Sequence, residues 1–74
     1  MKNKLRIIRA ERKISQDELA SLCGVSRATI NSVENESVIP NGDTMLRLSN
    51  ALQIPIQEIF LDFKLFTNNT EGGA

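Results

Sequence analysis

Apolar residues recur along this chain at helical rather than strand spacing. Leu5, Ile8 and Arg12 share one stripe of a first helical segment, which Ile14 closes. Ser15-Gln16-Asp17-Glu18 then forms a capping box. The serine hydroxyl accepts the N–H three residues on, and the glutamate carboxylate accepts from the serine N–H. A second helix runs to about Cys23, with Leu19, Ala20 and Cys23 inward. Gly24 stands where a helix end takes left-handed backbone, which glycine adopts at little cost. Ser26 caps a third helix after only Gly24 and Val25.

Two short helices joined by so tight a turn cannot lie parallel. They cross steeply, in a helix-turn-helix layout. The third helix is expected to end near Asn35, and "ESVIPNG" reads as a loop because Pro40 forces Ile39 out of helical geometry. Asp43 or Asn41 begins a fourth helix with Met45, Leu48, Ala51 and Leu52 inward. Gln53 and Ile54 make a brief break. Pro55 suits the first turn of a fifth helix that turns Ile56, Ile59 and Phe60 inward. The following "FLDFKLF" fits either period: Leu61, Phe63 and Leu65 alternate like a strand, whereas Ile59, Phe63 and Phe66 are helix-spaced. Residues 67–74 are polar and small and read as a flexible tail. The pattern predicts an all-α, compact five-helix bundle.

Composition narrows what such a bundle can do. With 74 residues there is one domain, near the lower size limit for a self-sufficient core. Cys23 is alone, histidine is absent, and no Cys-x-x-Cys pair occurs, so neither a disulfide within the chain nor a zinc site is expected. Nothing supplies a histidine base, a metal cluster or a phosphate-cradling glycine loop, so an enzyme is not expected and no cofactor is implied. No apolar run approaches the roughly 20 residues that span a bilayer. "MKNKLRIIRAERK" is charged throughout, unlike a signal peptide, which points to a cytoplasmic protein and no membrane partner. Nine Lys and Arg balance nine Asp and Glu, but unevenly: residues 1–36 carry a net +2 and residues 37–74 a net −2. A basic half can face a polyanion even in a neutral chain.

The third helix has two unlike sides. At about 100° per residue, Val33 and Ser26 cluster beside Ile30, and Glu34 lies toward this inner side. Ala28, Asn31, Ser32 and Asn35 fall opposite, with Arg27 and Thr29 on the flanks. Gln16 opens the second helix, where free N–H groups and the positive dipole end favour a phosphate. Its amide can also brace the third helix. Cys23 is expected to be a small core residue.

Taken together, "RKISQDELASLCGVSRATINSVEN", the following "IP" and "TMLRLSNALQIPIQEIF" resemble the lambda-repressor-like DNA-binding domain of phage Cro and repressor proteins and their bacterial relatives. The likeness covers residues 4–60. It rests on Gln16, Leu19-Ala20, Gly24-Val25-Ser26, Ile30, Glu34, Pro40, Leu52 and Ile59-Phe60 at the family's spacing. It implies a bacterial or phage-encoded regulator of transcription that binds operator double-stranded DNA as a two-fold homodimer, most simply a repressor. It implies base-edge contacts from Arg27, Ala28 and Ser32, with Thr29, Asn31 and Asn35 on phosphates or neighbouring bases. Arg27 can pair bidentately with guanine, worth about 1–3 kcal/mol of discrimination, while Ala28 offers only a methyl to thymine. The family also sets a helix-one arginine, here Arg9, against Glu34, a pair that orients the third helix more than it stabilises it.

Departures from the family pattern carry their own expectations. Glu36 stands where a glycine often ends the third helix; either it or Asn35 must take left-handed backbone. Glu36 and Asp43 put negative charge where a phosphate would approach. Gly42 replaces an apolar residue, so the fourth helix is expected to start later and to hold phosphate weakly. The apolar end, Leu61, Phe63, Leu65 and Phe66 within residues 61–66, is expected to extend the dimer interface of a domain spanning 1–66. The competing reading is a protein-interaction or antitoxin-like module that uses the same fold to bind a regulatory protein partner, favoured by the neutral charge. With no effector domain visible, control is expected from protein concentration, operator arrangement or such a partner.

Overall fold

The computed structural model describes residues 1–64. Leu65, Phe66 and the tail expected at 67–74 lie outside the described residues. Five helices follow in order: α1 Leu5–Arg12, α2 Gln16–Cys23, α3 Arg27–Glu34, α4 Gly42–Leu52 and α5 Ile56–Ile59. Among the described residues, β structure is limited to one antiparallel bridge between Asn3 and Phe60.

The capping signals place α2 and α3. Glu18 donates its N–H to Ser15 Oγ at 3.0 Å, and Ser15 N donates to Glu18 Oε1 at 2.9 Å, completing the box. Gly24 takes left-handed backbone at φ 72°, which lets Val25 N donate back to the Ala20 carbonyl and ends α2 abruptly. Ser26 Oγ accepts from Thr29 N at 3.1 Å and starts α3. Ser26 is therefore exposed and does not join Ile30 and Val33 on the buried side. A cap residue lies outside the helical spiral, so the 100° projection does not apply to it.

Leu5, Leu19, Ile30, Leu48, Leu52, Ile59 and Phe60 are fully buried or nearly so, and one cluster of such residues draws on all five helices. Arg12 is exposed although it shares the spacing of Leu5 and Ile8. A charged group at that position reaches water more cheaply than it enters the core. Cys23 is buried as expected. Burial pushes its thiol up, and the nearby Arg47 charge pulls it down by less.

Three connections differ from expectation or resolve an ambiguity. It is Glu36, not Asn35, that takes left-handed backbone, at φ 61°, while Asn35 stays right-handed. The start of α4 is not delayed by Gly42. Asn41 Oδ1 accepts from Thr44 N at 2.8 Å, and this cap initiates the helix at Gly42 itself. Pro55 sits just before α5 as its cap rather than in its first turn.

Over the described residues 60–64, the segment after α5 is neither a continuous strand nor a continuation of that helix. Phe60 pairs with Asn3, the chain turns at Leu61 and Asp62, and residues 63–64 are helical. Lys4 N donates to the Ile59 carbonyl and Leu61 N to the Lys2 carbonyl, each at 2.9 Å. Lys2 N also donates to Asp62 Oδ2 at 3.1 Å. The first four residues are thus sewn to the end of α5.

Candidate nucleic-acid interface

The outer side of α3 is polar and exposed. Arg27, Ala28, Asn31 and Asn35 are exposed on it, while Thr29 and Ser32 are half-buried at its edges. Thr29 Oγ1 shares a hydrogen bond of 2.9 Å with Ser26 Oγ, so its hydroxyl serves the cap. Ser37 caps the other end, donating both N–H and Oγ to the Ser32 carbonyl.

Gln16 is the hub behind this surface. Its Nε2 donates to Asn31 Oδ1 at 3.3 Å and to Glu34 Oε1 at 3.1 Å. Its Oε1 accepts from Arg27 Nε at 3.4 Å. The bracing role of the amide is therefore present, and it joins the first residue of α2 to the beginning, middle and end of α3. Arg27 is further held by Asp17, whose Oδ2 lies 3.6 Å from Nη1.

Glu34 anchors the network in the interior, with a fully buried side chain. Arg9 approaches Glu34 Oε2 through Nε and donates from Nη2 to Oε1 at 3.1 Å. Arg9 Nη1 donates to the Ile14 carbonyl at 3.0 Å. Burial pushes the Glu34 carboxyl up. Hydrogen bonds from Arg9 and Gln16, with the charges of Arg9 and Arg6, outweigh it and hold the group below the ordinary value of 4.5. The hydrogen bond to Glu34 correspondingly raises the Arg9 guanidinium. This pairing sets α1 against the end of α3, and no buried side-chain polar atom among the described residues is left without a partner.

Three participants escaped sequence reasoning. Arg6 reaches Asn35 Oδ1 at 3.0 Å and stands 3.9 Å from Glu34; its position one turn before Arg9 was the available signal. Asp17 follows Gln16 directly. Asn3, which donates to the Val33 carbonyl at 2.8 Å, has no local signal because the contact spans thirty residues. Of the apolar end, Leu61 is 52% exposed, whereas Phe63 is half-buried against the core.

A family model described as Helix-turn-helix matches residues 5–59. The chain belongs to the helix-turn-helix family. Among relatives of this helix-turn-helix protein, an uncharacterized HTH-type transcriptional regulator of Methanocaldococcus jannaschii, MJ0272, is 34% identical over 82% of the chain and 92% of that protein. The HTH-type transcriptional repressor RghR of Bacillus subtilis is 41% identical over 72% of the chain, which spans 40% of RghR. The helix-turn-helix fold here also matches a crystal structure of the P22 c2 repressor in complex with a synthetic operator, at a TM-score of 0.72 and 35% identity, over 77% of this chain and 86% of that one. The solution structure of the P22 c2 repressor DNA-binding domain matches at a TM-score of 0.68 and 37% identity, over 73% and 71% of the two chains. The architecture is that of a lambda-repressor-like domain. No helix among the described residues is long and apolar enough to cross a membrane.

Proposed function

We propose that this helix-turn-helix protein is a sequence-specific double-stranded-DNA-binding repressor that reads a palindromic operator as a homodimer. The observation that carries this reading is the outer side of α3, exposed at Arg27, Ala28 and Asn31 and braced from behind by Gln16 and Glu34. An exposed helix face with a hydrogen-bonded backing fits the major groove of B-DNA, and the likeness to a repressor solved on an operator supports the same use. Arg27 reads guanine, Ala28 and Ser32 read neighbouring base edges, and Asn31, Asn35 and Thr29 serve phosphates or adjoining bases. The α2 N-terminus at Gln16 receives a phosphate.

One such domain reads only a few base pairs, so affinity comes from two copies about 34–36 Å apart on one face of the duplex. Leu61, exposed beside Phe63, contributes to the contact between copies. Selection from random duplex DNA tests the reading: it should return a palindrome with half-sites about one turn apart. Recovery of no enriched motif at low salt would overturn it in favour of a protein-interaction module. Arg27→Ala should relax preference at one base pair, and Gln16→Ala should weaken all sites and, with the brace on Arg27 and Asn31 gone, also relax preference at their base pairs. Leu61→Glu should lower the sedimenting mass to that of a monomer; an unchanged dimer would place the interface elsewhere.

A further inference from the structure

The side chain of Asn3 joins three parts of the fold. Its Nδ2 donates to the Val33 carbonyl at 2.8 Å and to the Met1 carbonyl at 3.3 Å, and its Oδ1 accepts from Leu5 N at 3.1 Å. Its backbone is bridged to Phe60, which is fully buried. Val33 is the next-to-last residue of α3, and its carbonyl, one of those a helix end leaves without an intrahelical donor, accepts from Asn3 and from Glu36 N at 3.1 Å. The beginning of α3 has two supports that its far end does not share, the Ser26 cap and Gly24, whereas Gln16 reaches both ends. At 1.5 Å rise per residue the two ends lie about 9 Å apart. Arg9 and Gln16 on Glu34 and Arg6 on Asn35 also hold the far end, so losing the Asn3 donor shifts that end about the capped near end rather than freeing it.

We propose that Asn3 is a positioning residue for base reading, setting where the C-terminal half of α3 lies, so that Ser32 and Asn31 read DNA through it while Arg27 does not. This rests on the reading of the protein as a DNA-binding regulator. Asn3 is half-buried and bonds the backbone carbonyl of Val33, a buried residue of α3, so it acts through the helix rather than through a contact of its own with the duplex.

The experiment measures affinities of the full chain for every single-base substitution of its selected operator, with the active fraction titrated and the temperature kept below melting. Asn3→Asp keeps an acceptor for Leu5 N but loses the donor to Val33. Asn3→Ala removes the donor without adding charge. Both should lose discrimination about 3- to 10-fold at the base pair that Ser32→Ala also relaxes, with the preference at the Arg27 base pair intact. A uniform loss at all positions, an equal loss at the Arg27 base pair, or an unchanged pattern overturns the proposal. If the unsubstituted chain selects no operator, the functional reading itself fails, a result distinct from these.

Discussion

Replacing Glu36 with glycine should make the domain more stable, because this residue holds left-handed backbone, at φ 61°, that glycine adopts without strain. For an L side chain the clash of Cβ with the following carbonyl is worth about 1–2 kcal/mol. Glycine also loosens the unfolded chain, which takes back about 0.4–1 kcal/mol. The balance is a gain of about 0.5–1 kcal/mol, or a melting temperature raised by roughly 2–8 °C for a domain of this size. Thermal and urea unfolding of Glu36→Gly and Glu36→Gln separate backbone from charge. Glutamine keeps the Cβ, so it should leave stability near that of the parent. Lys13 at φ 56° and Gln53 at φ 58° end α1 and α4 in the same conformation, and glycine there repeats the experiment. If Glu36→Gly melts at or below the parent, or Glu36→Gln gains as much, the strain argument is refuted.

Other outcomes follow from the network and the turn. Glu34→Gln should destabilise by about 2–4 kcal/mol near neutrality, because it leaves the Arg9 guanidinium without its carboxylate. The Glu34 carboxyl is held below 4.5 in the folded state, so its contribution is present above that value and is lost as pH falls through the lower folded value. The gap between parent and variant should accordingly narrow in acid denaturant titrations, and a constant gap contradicts the assignment. Gly24→Ala should destabilise by about 1 kcal/mol or more, since the position has φ 72°. Its Cβ would lie 3.0 Å from Arg47 Nη1, the group that donates to the Cys23 carbonyl at 3.3 Å. Combination with Arg47→Ala should be less than additive, and full additivity would show the contact to be irrelevant. Asp17→Asn should raise DNA affinity about two- to fivefold by freeing Arg27 from an exposed ion pair. That gain should vanish in an Arg27→Ala background; if it persists, Asp17 acts on DNA without Arg27.

What could be read from the chain alone depended on how far each signal reaches. Helices α2 and α3 were legible because their limits are local: a box closed within Ser15–Glu18, a glycine at 24, a cap at Ser26. The Arg9–Glu34 pair was legible only through family likeness, since nothing local joins residues twenty-five apart. Gln16 was recognisable as a helix-start residue, yet that its amide engages Arg27, Asn31 and Glu34 depends on the crossing of two helices. The left-handed position could not be assigned between Asn35 and Glu36, because asparagine tolerates that conformation better and yet Glu36 holds it. Gly42 misled for the opposite reason. A Cβ there would meet nothing within 4 Å, so glycine fills an open helix start and the Asn41 cap alone sets the boundary. The pairing of residues 2–4 with 59–62 has no periodicity to announce it.

That pairing also bears on how the protein is made. A chain emerging from the ribosome can close the capping box and the α2–α3 turn as soon as those residues are free, for both are local. The hydrogen bonds of Lys2, Asn3 and Lys4 must wait until Ile59, Phe60 and Leu61 have appeared. Residues 2–4 therefore find their partners only after α5 has been made, a closure that lies at the slow, long-range limit of this otherwise local topology. A polypeptide halted before residue 59 would carry every side chain of the outer side of α3 and still lack the clasp that joins residues 2–4 to the end of α5.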